Sequence, residues 1–153
     1  LLRHLLENNP RPNRMVLTIQ KEVAKRICTP EGKKMSLLAL SIQVYGKPEI
    51  AGNIPAGAFY PPPKVDSAII HIELYKEPRI PHLLLNDFFR LAKAGFSQKR
   101  KTLRNALTGG LRIPVEKTES LLKNAKVDPR RRAETLTLNE WANLTEIWQG
   151  IEK

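Results

Sequence analysis

The clearest candidate chemistry in this chain is an aromatic pair followed by three prolines, in the segment Phe-Tyr-Pro-Pro-Pro-Lys-Val-Asp-Ser-Ala at residues 59–68. Each proline fixes φ at about −65° and removes a backbone donor, so Pro61 to Pro63 predict a stiff, polyproline-like segment. An aromatic ring held beside such a segment suits stacking against a flat ligand. The residues alone leave a second interpretation open, in which Phe59 and Tyr60 plug a hydrophobic loop.

The polar neighbours of this aromatic pair are assigned no catalytic role. Tyr60 and Lys64 flank Phe59, and we expect Asp66 to be a local backbone or salt-bridge partner and not a base. Cys28 is the only cysteine, and the three histidines are scattered without metal-ligand spacing. Metal chemistry and thiol chemistry are therefore not expected.

Positive charge is the second functional signal. The 153 residues carry a formal net charge of +11, which favours an anionic partner such as nucleic acid. From Phe88 to Val115 there are seven basic residues and no acidic one, whereas a merely solvated helix face normally mixes both signs. The candidate phosphate-binding residues in this run and in a second cluster are Lys99, Arg100, Lys101, Arg104, Arg130, Arg131 and Arg132. The alternative interpretation is that these charges only keep the chain in solution.

The elements that position the aromatic pair have an α/β pattern within residues 1–76. Met15–Ile19 is predicted as a buried strand, and Gln20 to Cys28 as the helix after it. Pro48–Ile54 and Ser67–Tyr75 are predicted to be extended. We also expect one helical face to carry Met35, Leu38, Ile42 and Tyr45, and the last strand to bury an apolar run that starts at Val65 and continues through Ala68, Ile69, Ile70, Ile72 and Leu74.

A proline-bounded connector at Tyr75 to Pro81 separates this part from residues 77–153, which are predicted to be helical. Asn86 is expected to cap the first helix. Lys101–Leu107 is predicted as a second helix that Gly109 and Gly110 terminate.

The last helix is predicted to open with the capping box Thr137-Leu-Asn-Glu140. Trp141 and Trp148 are spaced seven residues apart on its apolar face. We therefore interpret both tryptophans as core residues and not as base-stacking groups.

Four segments, in order along nearly the whole chain, resemble the ribosomal RNA small-subunit adenine N6,N6-dimethyltransferases, the kasugamycin-resistance family. They are Val-Leu-Thr-Ile-Gln-Lys-Glu-Val from Val16, the proline segment from Phe59, Phe-Phe-Arg-Leu-Ala-Lys-Ala-Gly-Phe-Ser-Gln-Lys-Arg-Lys-Thr-Leu-Arg-Asn-Ala-Leu from Phe88, and Arg-Ala-Glu-Thr-Leu-Thr-Leu-Asn-Glu-Trp from Arg132.

The resemblance implies an α+β fold: residues 1–76 would be the C-terminal end of a Rossmann-like class I methyltransferase sheet, and residues 77–153 a small all-helical rRNA-recognition domain. It implies S-adenosylmethionine-dependent N6-dimethylation of adjacent adenines in 16S rRNA during ribosome biogenesis, with the small ribosomal subunit as partner. By the same resemblance, Phe59 stacks on the target adenine and the basic residues named above contact rRNA.

Two family motifs have no counterpart in this sequence. No Gly-x-Gly pattern occurs, and the lookalike of the amine-gripping Asn-(Leu/Ile)-Pro-(Tyr/Phe) motif at Asn53 to Ala56 is rejected because alanine cannot stack on a base. The chain opens on Leu1, inside what resembles the end of an amphipathic helix at Leu1 to Leu6. We therefore expect it to lack the cofactor-binding half. Alone, it should bind no cofactor and be inactive.

Two alternatives remain open from the sequence. One is a stand-alone RNA-binding or ribosome-assembly module, and the other is the related macrolide-resistance rRNA methyltransferase family, against which the segment from Phe88 argues. No apolar run is long enough for a membrane span, so a cytoplasmic location is expected. Strands near Met15–Ile19 and Ser67–Tyr75 should leave exposed sheet edges through which copies of the chain could self-associate.

Overall fold

A computed structural model of the chain describes residues 5–6, 10 and 12–152. The chain divides into two compact units, the first containing residues up to Thr29 together with Leu38–Arg79, and the second containing Pro30–Leu37 together with the residues from Ile80 onward. Of the helix predicted at Leu1 to Leu6, only Leu5 and Leu6 lie within the described residues, and both are helical.

The first unit is built on a three-stranded antiparallel sheet with the strand order β1-β3-β2. Its strands are β1 (Arg14–Gln20), β2 (Gly46–Ile54) and β3 (Ser67–Leu74), and its helices are α1 (Lys21–Ile27) and α2 (Leu37–Gln43). Side chains on a strand alternate between its two faces, and in β3 the core face is formed by Ala68, Ile70 and Ile72, all fully buried. The α+β class and the three predicted strands are confirmed.

The carboxyl end of α1 is held by a buried side chain. The Nε2 group of Gln43 donates hydrogen bonds to the carbonyl oxygens of Ile27, at 2.8 Å, and Thr29, at 2.9 Å. The last carbonyl groups of a helix have no partner within the helix, so this amide satisfies the Ile27 acceptor, which would otherwise be left unpaired in the core.

Three expectations for this unit are wrong in detail. Helix α2 is shorter than predicted, because Met35 precedes it and Tyr45 follows it. Leu38, predicted on its buried face, is 38% exposed, while Leu40 is buried. Val65 is 49% exposed because it lies in the loop before β3 and not in the strand. Strand β3 lies between the other two, so the Ser67–Tyr75 segment has no free edge; within the described residues, β1 pairs on one side only.

The second unit is a small helical bundle. Its helices are α3 (Leu85–Phe96), α4 (Leu103–Leu111), α5 (Val115–Asn124) and α6 (Leu138–Glu152). Trp141 and Trp148 are fully buried, as predicted, and the Phe96 ring stacks on Trp141 with centroids 5.9 Å apart. None of the described helices is both long and apolar enough to cross a membrane.

Helix starts in this unit follow two patterns. The predicted capping box is confirmed at α6, where the Thr137 amide donates to Glu140 Oε2 at 2.8 Å and the Glu140 amide donates to Thr137 Oγ1 at 3.2 Å. The predicted cap at Asn86 is wrong, because a short 3-10 turn at His82–Leu84 runs directly into α3 and leaves Asn86 inside the helix.

The predicted stop at Gly109 and Gly110 is also wrong. Helix α4 continues to Leu111 and ends at Arg112, whose φ of 56° is left-handed. At Gly110 an added Cβ would lie 2.7 Å from Cα of Ala94 in α3. This glycine therefore allows two helices to approach closely, instead of ending one of them.

Candidate functional site

Phe59 lies at the end of a tight turn that follows β2. A 3-10 turn covers Ala56–Ala58, and the Phe59 amide closes it by donating to the Ala56 carbonyl oxygen at 3.2 Å. Phe59 is 37% exposed, Tyr60 is fully exposed, and the peptide bond between Tyr60 and Pro61 is cis. Phe59 is thus partly exposed to solvent, and hydrogen bonds hold the backbone before it in a turn.

Asp66 fixes this turn to the rest of the first unit. Its Oδ1 atom accepts a hydrogen bond from the Ala56 amide at 3.1 Å, and its Oδ2 atom lies 3.6 Å from Nζ of Lys21. The Lys21 amide also donates to the carbonyl oxygen of Asp66 at 3.0 Å. The sequence-based prediction that Asp66 is a local backbone and salt-bridge partner is confirmed, and its contacts join the Phe59 turn to the start of α1.

The two predicted basic clusters meet in the second unit. The Leu103 amide donates to the Arg131 carbonyl oxygen at 2.7 Å, and the Arg104 amide donates to the Pro129 carbonyl oxygen at 3.2 Å. These bonds hold the loop before α4 against the loop that contains Arg130 to Arg132. A small pocket of about 20 Å³ is lined by residues of both loops, among them Lys99, Lys101 and Arg132, and also by the acidic Glu134.

The seven predicted phosphate-binding residues fall into two groups in the structure. Four are exposed and have no acidic partner among the described residues, namely Lys99, Arg100, Lys101 and Arg132. The remaining three have acidic partners. Nη1 of Arg104 lies 2.7 Å from Oε1 of Glu119, and Nε of Arg130 lies 3.3 Å from Oδ1 of Asp128.

Arg131 is the most enclosed of the three paired arginines. Its guanidinium donates to both carboxylate oxygens of Glu140 and to the carbonyl oxygen of Thr135. A two-pronged arginine–carboxylate pair is geometrically specific. Because Glu140 is also the capping residue of α6, Arg131 holds the loop 128–132 at the start of that helix. Most hydrogen-bonding groups of its guanidinium are used in these contacts.

The electrostatic environment of two acids follows from these contacts. The backbone amide and then the guanidinium of Arg130 hold the pKa of Asp128 below its ordinary value. Burial by itself raises the pKa of Glu140, but the hydrogen bonds from Arg131 and Thr137 and the positive charge of Arg131 together outweigh burial, so that pKa also lies below its ordinary value. Both carboxylates are therefore held in the ionised form that pairs with arginine.

Sequence reasoning missed these acidic partners. Asp128 is two residues from Arg130, a spacing that a local search could have found. Glu119 and Glu140 lie 15 and 9 residues from the arginines they contact, and only the packing of α4 to α6 brings them together. The charge of the loop before α4 was predictable, but its division into paired and unpaired residues was not.

Comparison with known proteins gives a consistent result. The family model described as ribosomal RNA adenine dimethylase matches residues 1–149. The chain is 49% identical over 150 residues to the ribosomal RNA small subunit methyltransferase A of Dehalococcoides mccartyi, covering 98% of the chain and 51% of that protein. It is 44% identical over 147 residues to the protein of that name from Desulfitobacterium hafniense, covering 95% of the chain and 52% of that protein.

Solved structures show the same fold. A dimethyladenosine transferase from Plasmodium falciparum has a TM-score of 0.81 at 24% identity, over 97% of this chain and 62% of that one. The chain spans about half the length of the curated relatives it matches.

Proposed function

Because the chain belongs to the ribosomal RNA adenine dimethylase family, we propose that it forms the adenine-holding wall and the rRNA-docking domain of an S-adenosylmethionine-dependent rRNA adenine N6,N6-dimethyltransferase. The observation that carries this proposal is Phe59, a residue 37% exposed at the end of a turn that a hydrogen bond to Asp66 holds in place. Stacking of a base on an aromatic ring contributes about 1 to 3 kcal/mol. An enzyme that modifies a base holds it outside the base stack, in a pocket that contacts its faces.

The reaction explains why a positioning wall matters. The amine of adenine is a poor nucleophile because its lone pair is delocalised into the ring, so methyl transfer requires the amine to be held in line with the methyl donor. Phe59 fixes the plane of the ring and hence the direction in which the amine points. It transfers no proton.

Two observations support placing the methyl donor outside this chain. No Gly-x-Gly pattern occurs in the sequence, and the one described glycine with positive φ, Gly32, lies against Thr137 in the helical unit. We assign the cofactor and the amine-gripping motif to residues outside this chain, and expect the chain alone to transfer no methyl group. Calorimetry tests this directly: saturable binding of S-adenosylmethionine by the chain alone would contradict it.

The sheet is assigned to the C-terminal end of a Rossmann-like methyltransferase sheet. Support comes from β1, which, like β2 at the opposite side of the sheet, pairs on one side only within the described residues, and from the share of the relatives' length that the chain covers, about half. A strand with a free edge offers a row of unpaired backbone groups to a neighbour. In the complete protein, that neighbour would be a strand of the cofactor-binding half.

The rRNA-docking surface is assigned to the loop before α4 and the adjoining loop, with Lys99, Arg100, Lys101 and Arg132 as the phosphate contacts. These four have no acidic partner among the described residues, so binding a phosphate breaks no existing ion pair. To bind a phosphate, Arg104 and Arg130 would have to give up their ion pairs with Glu119 and Asp128. Arg131 is assigned the structural role of holding its loop to Glu140. A-form RNA exposes phosphates and 2′-hydroxyl groups, so recognition by charge and shape is expected.

A fluorescent base tests the role of Phe59. An rRNA hairpin with 2-aminopurine at the target adenine is titrated with the chain, and stacking on the ring should change the 2-aminopurine fluorescence. Phe59→Ala should abolish that change and weaken binding by roughly 5- to 150-fold, the equivalent of losing one stacked base. The matched control is Tyr60→Ala, a neighbouring aromatic to which no role is assigned. An unchanged signal from Phe59→Ala would refute the stacking role.

The docking surface is tested by salt dependence. Lys99→Gln combined with Lys101→Gln should lower the affinity for the hairpin and reduce the slope of log K against log salt by about 0.7 to 0.9 per lost contact. Lys123→Gln combined with Lys126→Gln removes the same charge from exposed positions elsewhere in the helical unit. If both double variants change the slope equally, the surface assignment fails.

A further inference from the structure

An open groove of about 430 Å³ occurs in the first unit, at the place where β1 ends, α1 begins and the loop before β3 passes. Its lining includes Gln20, Lys21, Glu22, Lys25, Lys64 and Asp66. The volume lies within the roughly 300–1,000 Å³ of small-molecule sites. None of the residues predicted from the sequence to contact adenine or RNA is part of this lining.

The groove shares an anchor with the Phe59 turn. Asp66 is one of its walls, and the same carboxylate accepts from the Ala56 amide at 3.1 Å and pairs with Lys21 at 3.6 Å. The Phe59 amide in turn donates to the Ala56 carbonyl oxygen at 3.2 Å. One side chain thus joins the groove to the turn that presents the ring, so a ligand in the groove would be held in a fixed relation to Phe59.

The charges of the groove are of two kinds. Lys25 and Lys64 are exposed and have no acidic partner among the described residues, whereas Lys21 is already paired with Asp66. Glu22 lines the same groove and also has no basic partner in the described part of the chain. A free anion would be repelled by Glu22. A nucleotide also carries a negative phosphate, but its base can place an amino group on the carboxylate while the phosphate contacts the lysines.

We propose that this groove binds the nucleotide next to the target adenine, with Lys25 and Lys64 on its phosphate and with Glu22 and Gln20 facing an exocyclic amino group of its base. This inference rests on the proposed function and adds a second nucleotide subsite to it. Carboxylates accept hydrogen bonds from base amino groups, and glutamine amides bind the amino edge of adenine. Single-stranded RNA is recognised in this way, with bases unstacked and read at their edges.

The test is a double-mutant cycle on an RNA hairpin whose loop carries two adjacent adenines. One partner of the cycle is Lys25→Gln combined with Lys64→Gln, and the other is the same hairpin with uncharged methylphosphonate linkages on either side of the adenines. Each change alone should weaken binding roughly tenfold, the cost of a hydrogen-bonded contact between charged groups. Both together should weaken it little more than either one. Lys25→Arg combined with Lys64→Arg should restore most of the affinity.

A second arm tests the base. Replacing one loop adenine by purine ribonucleoside, which lacks the amino group, should weaken wild-type binding at one of the two positions. Glu22→Gln should reduce that discrimination. Both lysines are exposed and have no acidic partner in the described residues, so unchanged urea midpoints, followed by circular dichroism, are expected for the lysine variants.

The outcomes separate this inference from the function on which it rests. The proposed function stands if the hairpin binds with a 2-aminopurine signal that depends on Phe59. In that case the groove inference is wrong if the lysine variant binds normally, or if the effects of the lysine and methylphosphonate changes multiply. If the wild-type chain does not bind the hairpin, both are overturned.

Discussion

Replacing Gly110 by alanine should destabilise the helical unit, although alanine is the better helix former. An added Cβ would lie 2.7 Å from both Cα and Cβ of Ala94 and 3.0 Å from its carbonyl oxygen. Carbon atoms in favourable contact are about 3.5 to 4.0 Å apart. Since two of the three contacts are with the backbone of α3, no side-chain rotation relieves them, and the helices must separate.

The neighbouring glycine provides a matched control. At Gly109 the nearest atom to an added Cβ is Nε2 of Gln98, at 3.6 Å, which is ordinary contact with the end of a flexible side chain. Gly109→Ala should therefore stabilise the unit by about 0.5 to 1 kcal/mol, the usual gain within a helix. Gly110→Ala has the same gain, but overpacking costs about 1 to 3 kcal/mol, and immovable backbone contacts favour the upper end. The free energies of unfolding of the two variants should differ by about 2 to 3 kcal/mol. The gain in helix propensity is the same for both and cancels in this difference.

Urea unfolding followed by tryptophan fluorescence measures this difference. Both tryptophans of the chain lie in α6 of the helical unit, so the signal reports that unit. The midpoint should rise for Gly109→Ala and fall for Gly110→Ala at similar m-values. Should Gly110→Ala prove as stable as Gly109→Ala, the close approach of α3 and α4 would be refuted, and the glycine pair would again have to be explained as a helix stop.

Three further outcomes follow from the structure. Thr137→Ala removes the acceptor for the Glu140 amide and should lower the free energy of unfolding by about 1 kcal/mol, while Thr137→Ser should retain most of it in the same urea assay. Because folding lowers the pKa of Glu140, the contribution of this carboxylate to stability is present above the ordinary pKa of 4.5 and is lost as the pH falls below that value. Glu140→Gln should therefore lose less stability than the wild type between neutral and acid pH. An equal loss would contradict the pairing of Glu140 with Arg131. Because β1 pairs on one side only within the described residues, the isolated chain should self-associate, and Val16→Lys on that strand should reduce the sedimentation coefficient at high concentration. A wild-type chain that stays monomeric at every concentration would count against the exposed edge.

Much of the fold was predictable because its signals are local. The apolar run of the last strand and the Thr137–Glu140 box each depend on a few neighbouring residues. The box is confirmed, and the run does form β3, although Ile69 and Leu74 are only half-buried. The family was predictable for a different reason, since four segments in order constrain the whole chain, and that prediction is also confirmed. The misplaced Gly109–Gly110 stop shows the limit, because a helix-breaking residue inside a helix is explained only by Ala94 on another helix.

The grouping of residues 30–37 with the helical unit had no sequence signal either. Glu31 Oε2 accepts a hydrogen bond from the Leu138 amide at 3.0 Å, 107 residues away, and the Met35 amide donates to the Glu134 carbonyl oxygen at 2.9 Å. Composition places this segment between two predicted helices of the first half. Only packing shows that it closes onto the start of α6.

The candidate site shows how a charge pattern must be interpreted. The run from Phe88 to Val115 contains no acid, yet Arg104 within it is paired, because α5 brings Glu119 to 2.7 Å from its guanidinium. An acid-free stretch of sequence is therefore not an acid-free surface. Lys99 and Lys101, in the loop between α3 and α4, have no acidic partner within the described residues. For this chain, the absence of an acidic partner is necessary for a predicted phosphate contact but not sufficient, since Lys123 and Lys126 also have none among the described residues. Lys99 and Lys101 differ from them because they lie in the loop that is held against the loop of Arg130 to Arg132. Lys25 and Lys64 differ because both line one groove.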